Sequence, residues 1–233
     1  MDLSITKSAH FVAGYNWNFA KDFQLKTELY YQYLYDVPVK VGDTTGTVSA
    51  LNFSSGYTNE KLSNEGTGRN YGVELTLEKF FSNNYYLLAT GSLFESKYTM
   101  PDFAERNTAF NSGYICNLVG GKEFLVGRNK QNVIGANFRV IWRGGYRTIP
   151  LDLEESVLQN SDVRDYTRAF ETKAPDYFRV DLGVSFRRNK PNWSWIISLD
   201  LQNASNRYNV GDEYYSPETG NVEKWYMNGL IPI

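Results

Sequence analysis

The chain has 233 residues and a formal net charge of −2, and 16% of its residues are aromatic. No stretch approaches the roughly 18 consecutive apolar residues of a transmembrane helix, which excludes a membrane protein of the helical class. Lys and Arg are scattered along the chain rather than clustered, which argues against a nucleic-acid-binding protein.

Alternating apolar and polar side chains predict β-strands along nearly the whole chain. In the segment "YFRVDLGVSFRRNKPNWSWIISLDLQN" two alternating runs flank a short polar turn, which is the pattern of a β-hairpin. The predicted strands cover residues 9–18, 23–39, 69–80, 84–98, 109–125, 131–146, 177–188, 192–210 and 222–231. No segment has the convincing period of an amphipathic helix, so we expect an all-β fold.

The connections between these strands alternate in length. Short polar links lie at 19–22, 80–83, 126–131 and 187–192, and long links lie at 41–68, 100–108, 147–175 and 211–221. This alternation predicts an antiparallel meander with all tight turns at one end and all loops at the other, which is typical of outer-membrane barrels. Two alternatives stay open at this point: a soluble β-sandwich that binds carbohydrate, and a stand-alone outer-membrane barrel or adhesin.

The two faces of the strands have different expected surroundings. Aromatic residues beside the short turns predict a girdle at one membrane interface, with few rings near the long loops; they are Trp17, Phe19, Phe80, Phe81, Tyr85, Tyr86, Trp193 and Trp195. Apolar positions such as Phe178, Val180, Leu182, Val184 and Phe186 are expected to face lipid. Polar positions between apolar ones are expected to face a wet lumen: Gln24, Lys26, Glu28, Glu74, Glu78, Asn137, Arg139, Arg179 and Asp181.

The sequence offers little for catalysis or metal binding. His10 is the sole histidine and Cys116 the sole cysteine, so neither a disulfide within the chain nor a usual zinc set can form. The acidic residues Asp152, Glu154 and Glu155 lack the regular spacing of a calcium loop. The glycines of "VGGKEF" and "RGGYR" are expected to allow bulges or a close approach by a neighbouring element. We therefore expect a protein that is not an enzyme and that holds no cofactor.

Aromatic residues in or beside the long links are the candidate ligand contacts, because rings on the loops of a rigid wall suit stacking against sugars or aromatic chelators. The alternative is that they pack the loops on one another. The candidates are Tyr57, Tyr98, Tyr146, Tyr166, Tyr214, Tyr215, Trp225 and Tyr226.

Several segments, in their order along the chain, resemble the C-terminal part of the barrel of a TonB-dependent outer-membrane receptor of the Bacteroidota type. They are "GTGRNYGVELTLEKFFSNNYYLLATGSLFESKY", "NTAFNSGYICNLVGGKEF", "WRGGYRTIPLDLEES", "APDYFRVDLGVSFRRN" and "WIISLDLQNASNRYNVGDEYYSPETGNVEKWYMNGLIPI". The resemblance implies part of a barrel of ~22 strands around a plug, in the outer membrane of a Gram-negative bacterium. It also implies uptake of a glycan, siderophore or similar solute.

The same resemblance implies a set of partners and a place within a longer protein. The partners would be outer-membrane lipid, the plug and the rest of the barrel, the TonB complex through an N-terminal region, and an unidentified solute. The start "MDLSITKSAHF" has no signal-peptide pattern, and "GLIPI" precedes the family's usual last residues. We therefore expect residues 1–233 to be about nine C-terminal strands, without the plug, the first half of the barrel or the end of the last strand.

Overall fold

The structure is a computed structural model that describes residues 3–53 and 58–233. One sheet contains β1 (Lys7–Ala20), β2 (Phe23–Lys40), β3 (Leu62–Ser82), β4 (Tyr85–Thr99), β5 (Arg106–Asn107), β6 (Tyr114–Val126), β7 (Asn132–Arg143), β10 (Tyr177–Lys190), β11 (Trp193–Gln202) and β14 (Ile231–Pro232). Two small pairs complete the fold: β8 (Arg147–Thr148) with β9 (Thr172–Lys173), and β12 (Val210–Ser216) with β13 (Asn221–Tyr226).

The large sheet is an antiparallel meander. Its strand order is β1-β2-β3-β4-β6-β7-β10-β11-β14, and β5 pairs with β4. Every pair within it is antiparallel. The predicted all-β antiparallel meander is therefore confirmed.

Tight turns connect the strands at one end of the sheet, which we call the turn end. The β3–β4 turn shows the local reason, because Asn83 and Asn84 adopt left-handed backbone conformations with φ of 51° and 64°. Two such residues make the turn whose twist matches a hairpin, and Asn tolerates that conformation well. The other four connections, 41–61, 100–113, 144–176 and 203–230, lie at the opposite end, which we call the loop end.

The last two predicted strands are wrong in their outer parts. The strand predicted at 192–210 ends at Gln202, because Asn203 turns the chain with φ of 53°. The side-chain Nδ2 of Asn203 donates to the carbonyl oxygens of Arg207 (2.9 Å) and Asn228 (3.1 Å), which stabilises this turn. The link predicted at 211–221 is largely the β12–β13 hairpin, and of the strand predicted at 222–231 only Ile231 joins β11, as part of β14.

A short helix, α1 (Leu153–Gln159), contradicts the expectation of a chain without helices. Asp152 caps its first turn, since its side chain accepts from the backbone N–H of Glu155 at 3.0 Å, and Asn160 ends it with φ of 50°. The sequence signal was the stretch "DLEESVLQN", with a capping residue at each end. Within the described residues, no helix is long and apolar enough to cross a membrane.

The Gly144–Gly145 pair ends β7 earlier than predicted and lets another backbone come close. A Cβ atom on Gly145 would collide with the carbonyl oxygen of Ala174, and one on Gly144 would collide with that of Ser112. The expected close approach at "RGGYR" is therefore made by the loops of this chain itself.

A buried lysine fastens the β3–β4 turn. Lys79 is 3% exposed, and its Nζ donates to the carbonyl oxygen of Phe80 (2.8 Å) and to the hydroxyl of Ser82 (2.6 Å). The same ammonium lies 4.1 Å from the ring centroid of Tyr85, which favours the cation electrostatically. The Ser82 hydroxyl donates in turn to Asp22 of the neighbouring turn at 2.7 Å, so Lys79 links two turns.

We expect Lys79→Met to destabilise the large sheet by about 1.5–3 kcal/mol, because it removes charge-assisted hydrogen bonds and leaves their acceptors without a donor. Unfolding by urea measures this loss. Lys21→Met is the matched control, since Lys21 is exposed on the β1–β2 turn. Equal stability of the two variants would contradict the role given to Lys79.

Candidate functional site

One face of the large sheet carries a wide band without charge. Residues paired across antiparallel strands share a face, so the registers assign each side chain to one side. We call the following set the apolar band: Ala9, Phe11, Ala13, Tyr15 and Trp17; Leu25, Thr27, Leu29, Tyr31 and Tyr33; Tyr71, Val73, Leu75 and Leu77; Leu87, Ala89, Gly91 and Leu93; Cys116, Leu118 and Gly120; Ala136, Phe138, Val140 and Trp142; Phe178, Val180, Leu182, Val184 and Phe186; Trp195, Ile197, Leu199 and Leu201.

The band is open to its surroundings and has the height of a membrane strand. Leu93 is 62% exposed, Val184 56% and Leu199 55%. On β3 the charged residues that limit the band, Lys79 and Arg69, are ten positions apart. That spacing matches the roughly 9–11 residues with which a strand crosses the hydrocarbon of a bilayer.

The opposite face carries the charges. The registers place the following residues there: Lys26, Glu28, Glu74, Glu78, Glu123, Arg139, Arg143, Arg179, Asp181, Arg187 and Asp200. Several of these pair with one another, as in Lys26–Glu28 at 2.7 Å and Arg179–Asp181 at 2.7 Å. The predicted separation of the apolar positions from the polar ones is confirmed by the registers.

Aromatic rings border the band at both ends, which corrects the expectation of few rings near the loops. Trp17, Tyr85, Trp193 and Trp195 lie at the turn end as predicted, whereas Tyr86 points to the charged face. At the loop end six further rings share the band's face: Tyr31, Tyr33, Tyr35, Tyr71, Tyr114 and Trp142. Tyr114 and Trp142 meet edge to face with ring centroids 5.2 Å apart.

The loop end also contains the main hydrophobic cluster of the described chain. The cluster joins the ends of β2 and β4 to loops 100–113 and 144–176, and its buried members are Val39, Tyr98, Met100, Ala169 and Phe170. Tyr98 and Phe170 pack edge to face with ring centroids 6.1 Å apart. Leu51 of loop 41–61 packs against this cluster, so three of the four loops share one core.

Hydrogen bonds reinforce this loop core. The buried hydroxyl of Tyr98 donates to the carbonyl oxygen of Gly46 at 2.7 Å, and the Arg106 guanidinium donates to that of Thr45 at 2.7 Å. The Asn107 amide reaches the carbonyl oxygen of Phe170 at 3.3 Å. Each bond joins a different pair of chain segments, so the loops form a single folded unit.

The structure divides the predicted ligand-contacting residues into two groups. Tyr98 and Tyr215 are buried, at 2% and 5% exposed. Tyr166, Tyr214, Trp225 and Tyr226 are exposed, and Tyr146 is half-buried. Tyr57 lies outside the described residues.

Tyr146 lines a cavity at the loop end, which lies between loop 144–176 and the β12–β13 hairpin. The cavity has a volume of about 380 Å³, and its wall includes Thr148, Ile149, Arg164, Lys173, Asp212, Glu213 and Val222. The Tyr146 hydroxyl donates to the carbonyl oxygen of Gly211. Burial raises the pKa of Tyr146, and the carboxylate of Asp212 adds to the increase.

The charged groups of this cavity already have partners within the chain. Arg164 donates to the carbonyl oxygens of Ile149 (3.2 Å) and Glu213 (2.7 Å), and Lys173 donates to that of Ser112 (3.1 Å). Sequence reasoning selected Tyr146 but missed Arg164, because an arginine in a loop has no pattern that sets it apart. The charges of the cavity hold the surrounding loops in place.

The residues predicted to be unsuited to catalysis stay apart from one another. His10 lies on β1 and Cys116 on β6, with three strands between them. In residues 3–53 and 58–233, no group of three or more His, Cys, Asp or Glu side chains could hold a metal ion.

Comparison with known proteins assigns the chain to a family. A family model described as "TonB dependent receptor-like, beta-barrel" matches residues 2–206. The chain belongs to the TonB-dependent receptor β-barrel family. Barrels of this family are outer-membrane proteins of Gram-negative bacteria. No curated protein sequence matches the chain with significance.

Two solved TonB-dependent receptor structures share the fold. The ferric yersiniabactin uptake receptor FyuA of Yersinia pestis superposes with a TM-score of 0.62 at 15% identity. The ferric-catecholate import receptor Fiu of E. coli K12 superposes with a TM-score of 0.57 at 10% identity. Each match covers 97% of this chain but only 28% and 27% of the respective receptor, so the chain spans about a quarter of the length of either one.

Proposed function

We propose that residues 1–233 form part of the barrel wall of an outer-membrane receptor that takes up an organic solute, such as a glycan or a ferric siderophore, with energy delivered through TonB. The apolar band carries this proposal. A wide, exposed face without charge suits contact with lipid, and the charged opposite face of the sheet suits a water-filled lumen.

The remainder of the receptor would supply the plug, the contact with TonB and the other strands. The match to about a quarter of each solved receptor supports this division. The path of the sheet supports it too. Within the described residues β1 has a partner only in β2, and the last paired strand contributes only Ile231 and Pro232. In a membrane both edges need partners, since a bilayer offers no hydrogen bonds to an exposed edge.

The alternative of a soluble sandwich predicts a second layer over the apolar face. In the part of the chain that the structure describes, large side chains of the band such as Leu93, Val184 and Leu199 remain exposed, and the buried cluster lies among the loops instead. The charge-free band therefore favours the membrane wall over the sandwich.

Growth and uptake measurements with the complete receptor test the proposed function. Cells that lack the receptor gene are supplied with labelled ferric catecholates or oligosaccharides, one class at a time. We expect one class to be taken up only when both the receptor and TonB are present. Uptake of both classes that is unchanged by loss of the receptor would contradict the proposal.

We expect Trp225→Ala to weaken solute binding about threefold to tenfold, because an exposed ring that stacks on a ligand contributes about 0.5–1.5 kcal/mol beyond its buried area. Trp225 is 57% exposed on the β12–β13 hairpin. The matched control is Trp193→Ala, which removes the same side chain at the turn end. Isothermal titration of the receptor with the solute found in the uptake assay measures both variants. Equal affinities would remove Trp225 from the binding surface.

We expect residues 1–233, purified by themselves without detergent, to be insoluble or oligomeric. The apolar band is a large contiguous surface, and its exposure to water is unfavourable. Size-exclusion chromatography with and without detergent measures this, and adding the remaining strands and the plug should restore a monomeric barrel. A monodisperse, cooperatively folding monomer in plain buffer would contradict the membrane assignment and favour the sandwich.

A further inference from the structure

An apolar groove, which we call the band groove, crosses β4, β6, β7 and β10 on the face that carries the apolar band. Its volume is about 620 Å³, which lies within the roughly 300–1,000 Å³ of sites that hold small organic ligands. Ala136 lines it, and the small side chain leaves space between the two residues that pair with Ala136, Lys122 and Val184. The larger side chains of its wall on this face are Tyr85, Leu87, Lys122, Phe124, Phe138 and Leu182.

Lys122 is the charged residue of the groove, and its ammonium reaches toward the turn end. Its Nζ lies 5.3 Å from the ring centroid of Phe124, which is two residues nearer the turn on the same face. The neighbouring Glu123 lies on the opposite, charged face and pairs with Arg187 at 3.8 Å. A lysine that lays its alkyl stem on apolar surface and extends its charge outward in this way is suited to a membrane interface.

Further positive charge surrounds the two turns beside the groove. The register with β11 places Arg188 and Lys190 on the band's face, and both are exposed. Two more exposed cations lie on the β6–β7 turn. Residues 124–135 and 182–199, which include both turns, contain no Asp or Glu. We call the following set the turn-side cations: Lys122, Arg128, Lys130, Arg188 and Lys190.

The turn-side cations have no carboxylate partner, unlike the cations on the same face at the loop end. Among residues 3–53 and 58–233, none of the five forms an ion pair. At the loop end, Lys7 Nζ lies 2.8 Å from Asp36, and the Arg69 guanidinium pairs with Glu105. The charge of the turn-side cations is therefore open to an anionic ligand.

Aromatic rings place these cations at the depth of lipid headgroups. Trp193 pairs with Lys190 and is 52% exposed, and Trp195 pairs with Arg188 and packs edge to face on Phe186 with ring centroids 5.6 Å apart. Aromatic residues on the lipid-facing side of a barrel form a girdle at each interface. Cations directly opposite such rings meet the charged part of a lipid, whereas the groove extends toward its acyl chains.

We propose that the band groove and the turn-side cations bind an anionic glycerophospholipid of the membrane leaflet on the turn side. The inference rests on the proposed function, because it requires the apolar band to lie in a membrane. One acyl chain lies in the groove, the Lys122 ammonium binds phosphate oxygens, and Arg188 and Lys190 add attraction to the negative charge. A zwitterionic phospholipid brings an ammonium group of its own, which these cations repel, so the site discriminates by charge.

The test uses the complete receptor in phosphatidylethanolamine nanodiscs that contain a fixed minor fraction of phosphatidylglycerol, with the lipids retained on the barrel counted by native mass spectrometry. We expect Lys122→Gln to lower the preference for phosphatidylglycerol about fivefold, the effect of one cation near a membrane surface. Lys21→Gln is the matched control, since Lys21 is exposed on the β1–β2 turn and does not line the groove. Ala136→Phe fills the groove without changing the charge and should also lower phosphatidylglycerol retention.

Three results would overturn the proposal: an unchanged preference in Lys122→Gln, an equal loss in Lys21→Gln, or unchanged retention in Ala136→Phe. The second would mean that surface charge acts without a site, and the third that no acyl chain lies in the groove. Arg188→Gln/Lys190→Gln serves as the second variant if Lys122→Gln fails to fold. Membrane insertion and solute uptake of the unchanged receptor are measured separately, so their loss reports a failure of the proposed function rather than of the lipid site.

Discussion

Leu182→Arg should destabilise the receptor barrel by about 2–4 kcal/mol, which is the cost of an arginine facing lipid near the middle of a bilayer. Leu182 lies within the apolar band on β10, between Phe138 of β7 and Leu201 of β11, and is 44% exposed. Among the residues that the structure describes, no acidic side chain lies next to Leu182 on that face, so the guanidinium has no partner to offset its transfer out of water.

The matched control for Leu182→Arg is Ser198→Arg on the neighbouring strand. Ser198 pairs with Ser185 on the charged face and is exposed, so its arginine can stay in water. Gly183 is a poorer control, because the side chains of Asp200 and Asn137 occupy the space that a Cβ there would need. Urea titrations in phospholipid vesicles compare the two variants. Equal losses of stability would mean that both faces of the sheet are packed alike, which would contradict a wall between lipid and water.

Phe170→Ala should open the loop core, with a local loss of about 3–5 kcal/mol, because it leaves a cavity where a large ring was packed. Phe170 is 7% exposed and packs on Tyr98, and its backbone adopts a left-handed conformation with φ of 63°. A bulky residue in that conformation is unfavourable by itself, so its packing has to hold it there. Without the ring, loops 100–113 and 144–176 lose their shared contact.

Limited trypsin digestion and amide hydrogen exchange measure this opening. We expect faster cleavage in loop 144–176 of Phe170→Ala while hydrogen exchange in the strands of the large sheet stays unchanged, because the loop core lies outside the apolar band. Tyr166→Ala in the same loop is the control, since Tyr166 is 43% exposed and its loss should stay within about 0.5 kcal/mol. Identical digestion of the two variants would mean that the packing of loops 100–113 and 144–176 does not depend on Phe170.

The large sheet was predictable because its strands and tight turns are determined by residues close together in the sequence. Side chains alternate along each strand, and short polar links with residues such as Asn83 and Asn84 specify tight turns, so strand type and order follow from neighbouring residues. The loop end was less predictable because long-range contacts decide it. The turn at Asn203 depends on carbonyl groups of Arg207 and Asn228, and the second of these lies in a segment that alternation assigns to a strand.

The candidate site was also only partly predictable, because long-range contacts decide which of its residues are exposed. Exposure of Trp225 and burial of Tyr215 could not be told apart from sequence, because both residues lie on one hairpin and differ only in which side of it meets the rest of the loop end. The tyrosines of "YYQYLY" are evident in the sequence, but their position relative to Arg69 and Lys97 required the register of three strands. The helix α1 was predictable from sequence, because Asp152 and Asn160 are capping residues at its two ends.

The alternation of tight turns and long loops also has a kinetic consequence. In β1–β2, β3–β4, β6–β7 and β10–β11 the partner strands follow each other after only a few residues, so each pair can form as a local hairpin at low entropic cost. Joining one hairpin to the next, as β7 to β10, requires closing a loop of more than thirty residues. Such closures carry the larger entropy cost and are expected to be slow. Assembly of the wall should therefore proceed through preformed two-stranded units, with the fastening of the loops as its last step.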